Sequence, residues 1–376
     1  METVFESWSL LVILLAAFVV GWAAEIAQTF MSRALALSIL AWLQTLPEFA
    51  VEATIAWHQQ KDLMIANLTG SLRLIVGLGL PMIFFVHFFF QGFKRGKFIR
   101  EIQLHSEDSF SILAVFISVL YFVWVWAKGS LSVYDSLVLI LIYAGYLGVL
   151  RFLPVHDVEE TEDLPWIGKK IVLLPKALKI GSVLLMFGLG GAALYLSVHP
   201  FIQTLEKWSL SFGISTFVFV QWVAPFLSEF PEKVSAFNWA RQKNKAPMAI
   251  MNMVGSNINQ WTMLAAMIPI VFSLSLRRVE PIVFNPTHRA ELLLTIAQSM
   301  LAGVLLLDLK FSIWDAGLIL ILWLVQFFYA PARESITWVY FSWVVWECGK
   351  MAFLAVTRRE IPSALRALPR LLGKAA

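Results

Sequence analysis

Charge is scarce in this chain and cysteine almost absent. Only 14% of the 376 residues are charged, against 59% that are hydrophobic. That is too little polar surface to clothe a soluble domain, so a soluble protein is excluded and a polytopic membrane protein is implied. The one cysteine, Cys348, allows no intrachain disulfide. Residues 1–7 hold no Lys or Arg, which argues against a cleaved signal peptide and for a first apolar run retained as a span. The six histidines never fall at an H-x-x-x-H or H-E-x-x-H spacing, and no G-x-x-x-x-G-K loop occurs. Zinc enzymes and ATP-driven pumps are thereby disfavoured. No low-complexity tract and no soluble domain of useful size interrupts the apolar runs.

What is present is a repeat. Pro47-Glu48, Asn67 and Gly70-Ser71 recur as Pro231-Glu232, Asn252 and Gly255-Ser256, with Pro-to-Gly spacings of 23 and 24 residues. A bilayer takes about 20 apolar residues per helix, and such runs are read near 8–30, 34–57, 63–91, 109–127 and 132–153. A second set is read near 177–198, 209–240, 247–275, 289–307 and 311–330, with one more near 335–357. Five spans per half carry the second copy into the membrane from the opposite side. The expectation is therefore an all-α polytopic fold, an inverted five-plus-five repeat with one extra C-terminal helix. Its parts are a first half over 1–153, holding the first repeat at about 34–91, and a cytoplasmic linker over 154–176. An inverted second half follows over 177–330, its repeat at about 209–275, and then a final helix with a basic tail over 331–376. The linker, with its acidic run His156 to Asp163 followed by Lys169 and Lys170, reads as solvated.

Basic residues set the orientation. Lys94, Arg95, Lys97 and Arg100, then Lys169, Lys170, Lys176 and Lys179, then Arg241, Lys243 and Lys245, and Arg358, Arg359, Arg366, Arg370 and Lys374 all share one side if the N-terminus is outside. The positive-inside rule makes that side cytoplasmic, although Arg277, Arg278 and Arg289 fall on the other. An inner, multi-pass membrane location is expected from the short loops and compact linker. The net charge of +4 is then a matter of topology and needs no nucleic-acid partner.

Matching helix breakers in inverted repeats point to a secondary transporter, because interrupted helices and their carbonyls build an ion site at the midplane. Pro47 and Pro231 supply the breaks. Each places a carboxylate where lipid would otherwise make it expensive. Asn67, Gly70 and Ser71, like Asn252, Gly255 and Ser256, are small enough for close helix approach and bring the oxygens that hard cations prefer.

Thr45-Leu46-Pro47-Glu48 followed by Asn67-x-x-Gly70-Ser71, and Ser228-Glu229-Phe230-Pro231-Glu232 followed by Asn252-x-x-Gly255-Ser256-Asn257, resemble the two alpha repeats of the sodium/calcium exchanger family. That resemblance implies antiport of calcium against sodium, protons or potassium, with no cofactor. Glu48 and Glu232 would be the principal ligands, Thr45 and Ser228 hydroxyl ligands, and Ser71, Ser256 and Asn257 lining residues. Three positions depart from the family pattern: Gln44 replaces Thr, Glu229 replaces Ser and Leu72 replaces Asn, with Arg73 immediately after. Glu229 joins the candidate cation ligands; Arg73, Gln44, Asn67 and Asn252 are candidate modulators. If Arg73 compensates Glu229, three carboxylates against one guanidinium leave two negative charges, which suits a divalent ion. The alternative ties Arg73 to Glu52 across two helices. A rival functional reading is a non-transporting or ion-sensing scaffold, in which Arg73 sits in the cation position within reach of Glu48 and Glu232.

The remaining ionisable residues of the spans are expected to be structural. Glu25 reads as interfacial, His87 as a packed histidine, Glu291 and Asp308 as snorkelling groups, and Glu347 with Lys350 as an ion pair on one face. Lys233 either neutralises Glu232 or snorkels. The abundant tryptophans anchor span ends. The tail, Ile361 to Leu372, reads as a short surface helix on anionic lipid headgroups.

Overall fold

The computed structural model describes residues 8–28, 45–96, 98–150, 164–358 and 360–375. Among them, eight helices are long and apolar enough to cross a membrane, beginning with Trp8–Ala27 and ending with Ala330–Arg358. Two shorter apolar helices, Thr216–Ser228 and Ile313–Phe328, lie in runs that the sequence also reads as spans. The chain folds as two compact units. One draws on 1–71, 155–235 and 267–280, the other on 72–154, 236–266 and 281–376.

In the first unit the Trp8–Gln28 helix lies along the Lys176–Ser211 helix. Ala23, Ile26, Ala27 and Val183 form a core between them. The Lys176–Ser211 helix corrects an expected boundary: at 36 residues it is roughly 54 Å long at 1.5 Å per residue, well beyond the run read at 177–198. It takes over residues assigned to the next span. That span, read as 209–240, is in turn two helices, Thr216–Ser228 and Phe230–Ala240, parted at Glu229. Pro225 lies inside the first and Pro231 in the opening turn of the second. A proline is tolerated in a first turn because the N–H it lacks would have no helical partner there. The linker reading is refined too, since a short helix, Trp166–Val172, forms within it.

In the second unit the Ser109–Lys128, Pro286–Leu306 and Arg333–Arg358 helices pack together. Two short antiparallel strand pairs tie their ends: Glu101–Gln103 with Lys310–Ser312, and Ser130–Leu131 with Ile282–Val283. The tail forms a Ser363–Ala375 helix that packs on the Ser109–Lys128 helix. The Ala364 N–H donates to the Leu307 carbonyl at 2.9 Å.

The repeat extends to backbone conformation. The first long helix runs Lys61–Leu74, passes through a π turn at Ile75–Gly79 and continues as α-helix; the second runs Ala246–Asn259 with its π turn at Gln260–Leu264. Start and bulge are both displaced by 185 residues. Before each, a non-glycine residue adopts positive φ to turn the chain: Gln59 at 62° and Asn244 at 66°. Such residues are uncommon and sit in tight turns. π turns are rare as well and concentrate at functional sites.

Candidate cation site

Each Pro-Glu pair opens a helix. Glu48 lies in the first turn of Leu46–Trp57 and Glu232 in the first turn of Phe230–Ala240, where unpaired N–H groups and the helix dipole favour a negative charge. The residues at the breaks share a backbone geometry: Thr45 has φ −88° and ψ 1°, and Glu229 has φ −95° and ψ 1°. This sparsely populated bridge conformation often holds functional residues. The two positions are 184 apart, one residue out of step with the long helices. The unequal Pro-to-Gly spacings of the sequence have the same origin, an extra residue between Pro231 and Asn244.

The first unit gathers most of the predicted ligands. Thr45, Glu48, Ser71, Ser228, Glu229 and Glu232 are all buried. The Ser71 hydroxyl reaches the carboxylates of both Glu48 and Glu229. Lys233, itself buried, forms an ion pair with Glu229 one helical turn before it. Glu48 is also within electrostatic reach of Glu232 and Glu52. Ser228 spends its proton on its own helix, donating to the Ala224 carbonyl at 3.0 Å, so only its lone pairs face outward. Among the described residues no group of three His, Cys, Asp or Glu side chains converges in a metal-ligand arrangement.

Lys233 corrects the expected charge balance. Within this unit the positive charge paired with Glu229 is that of Lys233. Three carboxylates, Glu48, Glu229 and Glu232, then share one ammonium within this unit, and two negative charges still remain. Breaking a buried ion pair strands one charge and costs about 3–5 kcal/mol. Glu229→Gln is therefore expected to destabilise the protein by roughly that amount, and Glu229→Gln with Lys233→Met to recover most of it. Thermal unfolding in detergent checks both. A double variant no more stable than the single one would contradict the pairing.

Arg73 belongs to the second unit. Its guanidinium pairs with Glu291 at 2.6 Å and donates to Gln326 at 3.1 Å. These partners differ from those weighed in the sequence, Glu229 or Glu52 and, in the scaffold reading, Glu48 with Glu232. Arg333 reaches the other oxygen of Glu291, also at 2.6 Å. Gln298 donates to the Arg73 carbonyl at 3.1 Å, next to the π turn. Glu291 is accordingly buried between two arginines, which overturns the snorkelling expectation; Asp308 is exposed. Ser256 and Asn257 are buried and Asn252 half-buried in this unit. The Asn257 Nδ2 group has no hydrogen-bond acceptor. Gln44 lies outside the described residues.

Other expectations divide. Glu25, near the end of its span, is buried within the protein and accepts a 2.5 Å hydrogen bond from Ser235. His87 packs against the Ala240 carbonyl at 3.0 Å, and Glu347 pairs with Lys350, as read.

A family model described as sodium/calcium exchanger protein matches residues 4–152 and 182–330, one segment in each half. The chain belongs to that family. This exchanger-family chain is also similar to the crystal structure of the H+/Ca2+ exchanger CAX: the TM-score is 0.87, with 29% identity over 99% of this chain and 92% of that one. A structure of the sodium-calcium exchanger NCX_Mj soaked with 2.5 mM Na+ and 10 mM Sr2+ gives a TM-score of 0.55 and 20% identity, covering 87% of this chain and 98% of that one. A second NCX_Mj structure, soaked with 100 mM Na+ and 10 mM Sr2+, gives 0.56 and 19% over the same shares. Curated protein sequences give no match. The exchanger fold is the all-α, inverted-repeat membrane fold that the sequence led us to expect.

Two partnerships escaped the sequence. Lys233 stands at i+4 from Glu229, a spacing that places two side chains on one helix face, but its neighbour Glu232 drew attention away. Glu52 stands at i+4 from Glu48 and was weighed only as a tie for Arg73. It accepts instead from Asn67 Nδ2 at 2.6 Å.

Proposed function

We propose that this protein is a secondary active antiporter that exchanges calcium for protons by alternating access, with Glu48 and Glu232 as the principal calcium ligands. The observation that carries the reading is the pair of buried first-turn carboxylates in inverted repeats, Glu48 and Glu232, the first joined through Ser71 to Glu229. Three carboxylates and one ammonium leave a twofold negative charge. One Ca2+ or two monovalent cations neutralise it, whereas the bare site resists crossing a low-dielectric barrier. That is the physical basis of exchange: the protein reorients only when loaded. Thr45, Ser228 and Ser71 contribute oxygens, the donor type a hard divalent ion takes. Likeness to the H+/Ca2+ exchanger CAX over 99% of the chain favours protons as the counter-ion.

The basic residues support an N-terminus outside and a C-terminus in the cytoplasm, and the short loops and compact linker support an inner membrane. They also support a tail helix, Ser363–Ala375, resting on anionic headgroups. The two halves, 1–153 and 177–330, act as the inverted pair.

The test is calcium uptake into proteoliposomes under an outward proton gradient and, separately, an outward sodium gradient. Uptake driven by protons alone is expected. Uptake driven only by sodium would replace the counter-ion, and no uptake under either gradient would overturn the antiport reading.

A further inference from the structure

Glu52 and Asn67 form a bonded pair whose polar atoms do not balance. Both side chains are 0% exposed. Asn67 Nδ2 donates to Glu52 Oε2 at 2.6 Å, yet Glu52 Oε1 and Asn67 Oδ1 have no hydrogen-bond partner. A carboxylate accepts only, and an amide oxygen accepts only. Two acceptors therefore remain on one bonded pair of side chains, in a place where buried polar atoms are normally satisfied. A buried carboxylate relieved by one hydrogen bond is not stable as a bare charge. Oxygens of one polarity with a single negative charge between them ask for a cation, and for a cation of charge one.

We propose that Glu52 and Asn67 hold a second cation site, one helical turn from Glu48, that takes one monovalent ion. Sodium and the proton share the required chemistry: a single positive charge and affinity for oxygen. Glu52 supplies the neutralising charge through Oε1 and Asn67 a neutral oxygen through Oδ1, while the Nδ2–Oε2 hydrogen bond fixes the two groups in register. The position matters because Glu48 is within electrostatic reach of Glu52. A cation on Glu52 relieves repulsion at Glu48, so occupancy of one site is coupled to occupancy of the other, and by linkage the coupling is reciprocal. The assignment of this ion as a counter-ion rests on the antiport reading above; its binding does not.

The pair is separable from the calcium ligands by substitution. In E48Q/E232Q protein, Glu229 keeps its partner Lys233 and Glu52 keeps Asn67. Binding of radiolabelled Na+ to this purified variant, with choline as the balancing cation, is expected at one ion per chain and is lost in E48Q/E52Q/E232Q. In the proton case no Na+ binds; instead an infrared band of a protonated carboxyl rises and falls with pH and is removed by Glu52→Gln. Either result supports the site and names its ion. Neither Na+ binding nor such a band would overturn it, leaving Glu52–Asn67 as a structural hydrogen bond. Asn67→Ala, which keeps the carboxylate and removes only the amide, is expected to weaken Na+ binding at least tenfold, and covers the case in which Glu52→Gln fails to fold. Calcium exchange without any Glu52-dependent ion would preserve the antiport and sink this site. Glu52-dependent binding in a protein that exchanges no calcium would do the reverse.

Discussion

Replacing Glu48 or Glu232 by glutamine is expected to abolish calcium exchange. Glutamine keeps the size of the side chain and, at position 48, an acceptor oxygen for Ser71, so the helix openings persist while a full negative charge disappears. The remaining site carries one net negative charge and no longer balances a divalent ion. We expect initial uptake rates at least about 100-fold lower, equivalent to roughly 2.7 kcal/mol at 1.36 kcal/mol per decade, with monodisperse protein in detergent. Glu347→Gln provides the control, because Glu347 pairs with Lys350 on the last long helix and serves no cation in this reading. Radiolabelled calcium uptake at matched protein incorporation decides the matter. Wild-type rates in either Glu48→Gln or Glu232→Gln would remove those residues from the site.

The two motif glycines part company under substitution. A Cβ built on Gly70 would lie 1.7 Å from the Gln221 carbonyl oxygen and 2.7 Å from its carbon. Both atoms are backbone of the neighbouring Thr216–Ser228 helix, and Gln221 also donates to Thr69 at 3.2 Å, so the contact has no cheap escape. A Cβ on Gly255 meets nothing within 4 Å. Gly70→Ala should therefore cost about 3 kcal/mol or more, the upper end of overpacking. Gly255→Ala should change stability by under about 1 kcal/mol, helped by the better helix propensity of alanine. Melting temperatures followed by size-exclusion chromatography in detergent report both. Equal effects at the two sites would mean that the helix contact at Gly70 is wrong.

Much of this was legible in advance. Pro47-Glu48 and Pro231-Glu232 announced two helix openings because proline has few places to sit in an apolar helix, and the repeated Asn-x-x-Gly-Ser set the partner helices. The one-residue mismatch between 23 and 24 even foretold the step from an offset of 184 to one of 185. Partners distant in sequence were not legible. Arg73 and Glu291 are separated by 218 residues, and nothing in either segment names the other; nearer carboxylates looked equally eligible. Helix lengths misled for a different reason. Hydropathy marks where lipid ends, whereas the Lys176–Ser211 helix continues through Gln203, Glu206 and Lys207 because its backbone hydrogen bonds need no lipid. The π turns at Ile75–Gly79 and Gln260–Leu264 had no compositional marker.

Ser71 stands between Glu48 of the first repeat and Glu229 of the second, yet a hydroxyl owns one proton. It can serve only one of these carboxylates at any instant, which makes them rivals for a single rotor. For Glu229 the loss is covered by Lys233, so the rotor can swing to Glu48 without stranding a charge. When it swings back, Glu48 gives up that donor and its pull on an arriving cation strengthens. A turn of one hydroxyl about its own bond thus moves a single hydrogen-bond donor between a carboxylate of one repeat and a carboxylate of the other.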